Sequence, residues 1–183
     1  MNPSIVVVTY NRPASLNRLL SFLSTAIYNS SDVNLIISID YQASELHNDV
    51  VKIARDFNWK YGFKKIIEQK KNLGLKAHIL SCGDLSEEYG AVIVLEDDLI
   101  VSPFFYDYAL QSLEVYKEDL NIAGISLYTF EWSQVADRSF LPAPSGSEVF
   151  FFKMPNHGDN FGQKECGKNL RPGILPIKIS KLV

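Results

Sequence analysis

Residues 91–95 read Ala-Val-Ile-Val-Leu and run directly into Glu96-Asp97-Asp98. An apolar run without alternation describes a strand buried on both faces, which needs helices on both sides of a largely parallel sheet. Residues 4–9, Ser-Ile-Val-Val-Val-Thr, have the same character, and a second apolar run at 33–39 ends at Asp40. Shorter strands are expected at 65–68 and 122–127.

The segments between these runs have helical spacing. Leu16, Leu19, Leu20, Leu23 and Ile27 form one apolar stripe over residues 14–28, and Pro13 before them suits a helix's first turn. Leu46, Val50, Ile53, Ala54 and Phe57 form another. Asn72-Leu73-Gly74 reads as a turn, followed by a helix over 75–85, and Pro103 opens a helix ending near Glu118. This alternation predicts an α/β fold with an open, mostly parallel sheet and flanking helices. Ligands of such sheets bind outside the carboxyl ends of the strands. Here those ends carry Thr9 to Arg12, Asp40, Asn72 to Gly74 and Glu96 to Asp98.

Three consecutive acids at the end of a buried strand repel one another unless a positive partner meets them. Hard carboxylate oxygens suit Mg²⁺ or Mn²⁺, and such ions keep positions open for phosphate oxygens. The competing reading is a solvated acidic loop before the helix that Pro103 opens. A formal net charge of −3 gives no basic face for nucleic acid, and it leaves a bound diphosphate in need of a cation. The two cysteines, Cys82 and Cys166, lack metal-ligand spacing and are expected to be reduced thiols. Thr9, Asn11 and Arg12 interrupt the first apolar stretch too early for a signal peptide or a membrane span. The expectation is a cytoplasmic protein, with peripheral attachment at the inner face of a membrane left open.

Two segments carry a resemblance. Val-Val-Val-Thr-Tyr-Asn-Arg-Pro at 6–13 resembles the opening strand and turn of family 2 glycosyltransferases. Val-Ile-Val-Leu-Glu-Asp-Asp-Leu-Ile-Val-Ser-Pro-Phe-Phe at 92–105 is similar to N-acetylglucosaminyltransferase I and its bacterial relatives, in which Glu-Asp-Asp replaces the usual Asp-X-Asp. The resemblance covers roughly residues 4–153. It implies a GT-A, nucleotide-diphospho-sugar transferase type of fold and metal-dependent transfer of a sugar from a nucleoside diphosphate donor to a glycan or glycolipid hydroxyl. Asp98 resembles the direct metal ligand, with Asp97 beside it toward the ribose or a metal-bound water. Thr9 and Arg12 would meet the nucleotide, Arg12 pairing a phosphate oxygen with possible help from Lys76. Asp40 resembles the acid that bonds the base or ribose. Asn72 and Gly74 resemble the turn lining the nucleotide pocket. His78 falls at a nucleotide-contacting position, although a histidine on a helix surface fits the sequence equally well.

No catalytic base is assigned, since Glu131 and Asp137 lie too near the sheet in sequence. A sugar-nucleotide pyrophosphorylase would open with a Gly-rich phosphate loop. This chain has Tyr10-Asn11-Arg12-Pro13 there, and its first glycine is Gly62. A third reading is a domain that binds nucleotide sugar without transferring it.

The sequence divides into a nucleotide-sugar-binding domain over 1–153 and an atypical tail over 154–183, so that the fold is expected to be incomplete at its C-terminus. The tail contains Pro172, Gly173 and Pro176 and shows no periodicity. A shifted reading frame permits Ser-Trp-Gly-Gln-Phe-Trp over 157–162, similar to the family's tryptophan- and glycine-rich segment. A frameshift near residues 153–156 is therefore the expected origin of the tail.

Overall fold

The computed structural model describes residues 2–29, 32–119, 122 and 124–127, and the backbone of 132–133 and 138–139. Four strands, β1 (Ser4–Thr9), β2 (Leu35–Ile39), β3 (Lys64–Glu68) and β4 (Val92–Glu96), form one sheet in the order β3-β2-β1-β4. Every pairing is parallel, and Val7 at the centre of β1 lies opposite Ile37 on one side and Leu95 on the other. All residues of β1 and β2 are buried, as their unbroken apolar character requires.

Helices cover both faces. Ile5, Val7, Leu35, Ile37, Ile93 and Leu95 meet α1 (Pro13–Thr25), α2 (Glu45–Asp56) and α5 (Phe105–Tyr116). Val6, Val8, Ile36, Val92 and Val94 meet Cys82 and Ile79 of α3 (Leu75–Gly83). The short α4 (Ser86–Tyr89) then returns the chain to β4. The open parallel sheet with flanking helices is thus the fold formed. Because β2 and β4 lie on opposite sides of β1, strand order reverses there, and the crevice between β1 and β4 is the topological switch point.

At the other end of the strands an aromatic cluster closes the core. Tyr28 lies 5.4 Å from Trp59 and 5.3 Å from Tyr106, centroid to centroid. Trp59 Nε1 donates to Val33 O at 2.7 Å, and Tyr106 Oη donates to Pro3 O at 3.0 Å, so both buried polar handles find backbone acceptors.

Several boundaries differ from expectation. α1 stops at Thr25, because Ala26 turns extended and Ile27 N donates to Pro103 O. In α2, capped by Ser44 Oγ accepting from His47 N, Leu46 is exposed and His47 holds the buried position. Residue 122 and residues 124–127 have no regular secondary structure, so the described residues of the expected 122–127 strand form none. Ile125 and Leu127 nonetheless pack partly against the core.

β5 (Trp132–Ser133) and β6 (Arg138–Ser139) pair antiparallel in a second unit of the chain. The expected boundary at residue 153, the tail 154–183, Cys166, Glu131 and Asp137 lie outside the described residues. Among the described residues, no helix is long and apolar enough to cross a membrane.

Candidate functional site

The parallel ladder brings three strand ends side by side. Asp40 N donates to Thr9 O at 2.9 Å, and Asp97 N donates to Val8 O at 3.1 Å. Thr9, Asp40 and Asp97 are all buried. Between β1 and β4, Thr9 Oγ1 donates to Asp97 Oδ2 at 2.7 Å. Arg12, at the turn into α1, reaches across the same crevice. Its Nη2 lies 2.5 Å from Asp97 Oδ1, and its Nη1 donates to Asp98 Oδ2 at 3.0 Å. Arg18 Nη2 adds a bond to the Asp98 carbonyl at 3.4 Å.

Burial pushes the Asp97 carboxyl up, and the neighbouring Asp98 adds to this, while the Thr9 hydroxyl and the Arg12 guanidinium oppose it. The Arg12 contact with Oδ1 is ionic without hydrogen-bond alignment, which leaves that oxygen a buried acceptor lacking a hydrogen bond. Asp98 is different: its side chain is 32% exposed and open to a ligand.

Two adjacent hard carboxylates, one buried and one partly exposed, both paired with the Arg12 guanidinium, fit an Mg²⁺- or Mn²⁺-type site. Such ions take one or two protein carboxylates and complete their shell with phosphate and water. Among the described residues, no group of three or more ligating side chains occurs, so no cage supplied wholly by protein is present.

A second cluster lies between the ends of β2 and α3. Asp40 Oδ1 accepts from Tyr41 N at 2.9 Å and Leu73 N at 2.8 Å, and Oδ2 accepts from Gly74 N at 3.0 Å. A carboxylate has about four acceptor positions, and three of those on Asp40 are taken by backbone N–H groups. Asn72 Nδ2 donates to Tyr10 Oη and Tyr41 O, both at 3.1 Å. Gly74 takes φ +73°, which an L side chain rarely adopts, and its N–H is turned into the Asp40 carboxylate. The turn at 72–74 is thereby fastened to the ends of β1 and β2. Asn11 Nδ2 donates to Gln42 Oε1 at 2.7 Å, drawing in Gln42, which sequence reasoning missed. Nothing in its local sequence marks it.

Thr9, Arg12, Asp97 and Asp98 are thus joined in one contact network, and Asp40, Asn72 and Gly74 in another beside it. His78 stands apart. It is 2% exposed, and its Nε2 lies 2.7 Å from Ser38 Oγ beneath α3. The surface position weighed for it does not hold, because the side chain is buried against Ser38 of β2. Burial lowers its pKa, with Asp40 opposing. Lys76 is exposed in the first turn of α3. It borders an open hollow of about 400 Å³ with Leu73, Leu75 and Leu80. A second hollow of about 470 Å³, between α1 and α2, is lined by Asn17, Asp49, Lys52 and Asp56 among others. Neither hollow includes Asp97 or Asp98.

No protein family and no curated protein matches this chain. Solved structures do. The crystal structure of S. aureus TarS 1–349 in complex with UDP-GlcNAc aligns at a TM-score of 0.47 and 16% identity, over 63% of this chain and 32% of that one. TarS 1–349 in complex with UDP gives 0.48 and 18%, over 63% and 33%. TarS 1–349 alone gives 0.46 and 16%, over 75% and 43%. The chain therefore spans between about a third and 43% of the length of these TarS chains.

Proposed function

We propose that this chain is the donor-binding part of a GT-A-type glycosyltransferase of the Glu-Asp-Asp lineage. It would move a sugar from a nucleoside diphosphate to a hydroxyl of a glycan or glycolipid with the help of Mn²⁺ or Mg²⁺. The observation that carries this reading is the Thr9–Asp97–Arg12–Asp98 constellation at the switch point between β1 and β4. It stands where parallel sheets bind nucleotides, and it joins the two segments that resemble the family.

Asp98 would hold the cation, with Asp97 beside it through Oδ1, the oxygen that Arg12 meets. The bound cation would offset charge growing on the leaving diphosphate. Arg12 supplies a forked, permanently charged donor suited to a phosphate oxygen. Thr9 fixes the Asp97 carboxylate, so that it need not reorganise when charge develops nearby. Asp40 holds the turn at 72–74 against the strand ends and would accept from the ribose or base. With its α-hydrogen in place of a side chain, Gly74 lets a ligand approach the backbone closely.

UDP-GlcNAc, the ligand in one of the similar TarS structures, is a suitable first probe. Calorimetric titration with and without Mn²⁺ should show binding that needs the metal. Binding equally strong with the metal chelated would overturn the metal-dependent reading. Metal-dependent binding without release of UDP, across a panel of glycan and glycolipid acceptors, would assign the chain to donor binding alone.

A further inference from the structure

We infer that Arg12 is a resident counter-cation that must leave the Asp97–Asp98 pair before a divalent cation can enter, so that cation and diphosphate bind as a coupled pair. This rests on the metal-binding reading of those two acids and concerns how the site is controlled. The guanidinium spans both carboxylates, with one nitrogen 2.5 Å from Asp97 Oδ1 and the other 3.0 Å from Asp98 Oδ2. A divalent ion on the same oxygens would face the guanidinium at close range, and like charges at that distance repel strongly. Arg12 and the cation therefore compete for the same face.

The rest of the constellation is built to stay behind when Arg12 moves. Thr9 Oγ1 holds Asp97 through the other oxygen, and Arg18 holds the backbone carbonyl of Asp98. Arg12 itself is about half exposed, and its side chain makes no cap on α1. Its long side chain can reach outward, but leaving breaks two ion pairs, one of them to a buried carboxylate. What it needs is another anion. A diphosphate supplies one, because phosphate oxygens match the guanidinium fork as well as carboxylates do. Diphosphate would draw Arg12 off the acids and expose them to the cation, whose entry would in turn free Arg12 for phosphate. Such coupling is reciprocal by necessity.

The test is Mn²⁺ affinity of the full chain, by electron paramagnetic resonance or calorimetry, without nucleotide and with saturating UDP. Wild type should bind Mn²⁺ weakly alone and about 5- to 150-fold more tightly with UDP, the usual range of coupling between two sites. Arg12→Gln should bind Mn²⁺ alone several-fold more tightly than wild type, and the enhancement by UDP should shrink. Arg12→Lys keeps the charge but loses the fork, so it should move the same way by less. It also serves if the Gln variant does not fold. An Arg12 that acts only on phosphate would leave the nucleotide-free Mn²⁺ affinity unchanged in folded variants, and that result would overturn the inference. If neither wild type nor variant binds Mn²⁺, with or without UDP, the metal reading itself fails and takes this inference with it.

Discussion

Thr9 and Asp97, 88 positions apart in sequence, meet through a buried 2.7 Å hydrogen bond that ties the end of β1 to the end of β4. The bond matters because Asp97 is fully buried and its other oxygen is met by the Arg12 guanidinium as an ion pair. Thr9→Val would keep the shape and remove the donor. Leaving a buried acceptor unmet costs about 1–3 kcal/mol. Urea unfolding should show a loss of that size for Thr9→Val and a smaller one for Thr9→Ser. An unchanged midpoint would mean that water satisfies the carboxylate.

The metal role of Asp98 has a direct check. Its side chain is partly exposed and makes one ion pair, with Arg12, so Asp98→Asn should leave the fold intact. The same change should remove most of the Mn²⁺-dependent affinity for a nucleoside diphosphate sugar, measured by calorimetry. Equal affinity in wild type and variant would take Asp98 out of the metal site.

Legibility varied with the range of the interactions concerned. β1 and β4 could be read from unbroken apolar runs, because burial on both faces leaves a local mark on composition. The grouping of polar residues at their ends was legible for a similar reason: residues that close buried parallel strands gather at the carboxyl end of the sheet. Asp40 shows the limit. Its place at a strand end was legible, but its bonds to Leu73 and Gly74 N–H groups depend on a turn more than thirty residues later. Leu46 and His47 show another, since one residue of helical phase decided which was buried. The pairing of Ser38 on β2 with His78 on the buried side of α3 left no local signal, as the crossover alone brings the two together.

Two glycines should respond to alanine for different reasons. At Gly74 an added Cβ would meet nothing within 4 Å, but the backbone holds φ +73°. With ψ 157° as well, this is a backbone region that essentially only glycine occupies, so Gly74→Ala should cost about 1–3 kcal/mol from conformation alone. At Gly62 a Cβ would fall 2.3 Å from the Val33 carbonyl oxygen, part of the backbone leading into β2. Gly62→Ala forces that backbone to shift and should cost about 1–3 kcal/mol, as overpacking does. Denaturant midpoints of the two variants give the comparison. Either variant as stable as wild type would contradict this account.

His78 should make stability depend on pH. Burial lowers its pKa in the folded chain, with Asp40 opposing, so the folded ring stays neutral where an unfolded histidine already takes a proton. The sign follows from proton uptake. Between the unfolded value of about 6.5 and the lower folded value, the unfolded chain binds more protons, so falling pH favours unfolding. His78's contribution is therefore fully present above about pH 6.5 and is lost as pH falls toward the folded pKa. The groups facing it sharpen the case. Ser38 Oγ meets Nε2 at 2.7 Å, and the nearby Cys82 thiol is itself pushed up by burial, so it offers no negative charge to hold an imidazolium. Melting temperatures of wild type and His78→Asn, each measured at about pH 7.5 and about pH 5.5, would isolate the effect from carboxylates elsewhere. The variant should be less stable at the higher pH, having lost packing and part of its bond to Ser38, yet lose less on acidification than wild type. Equal losses in the two proteins would show that His78 titrates as it would in solvent, and the buried, neutral ring beneath α3 would then be wrong.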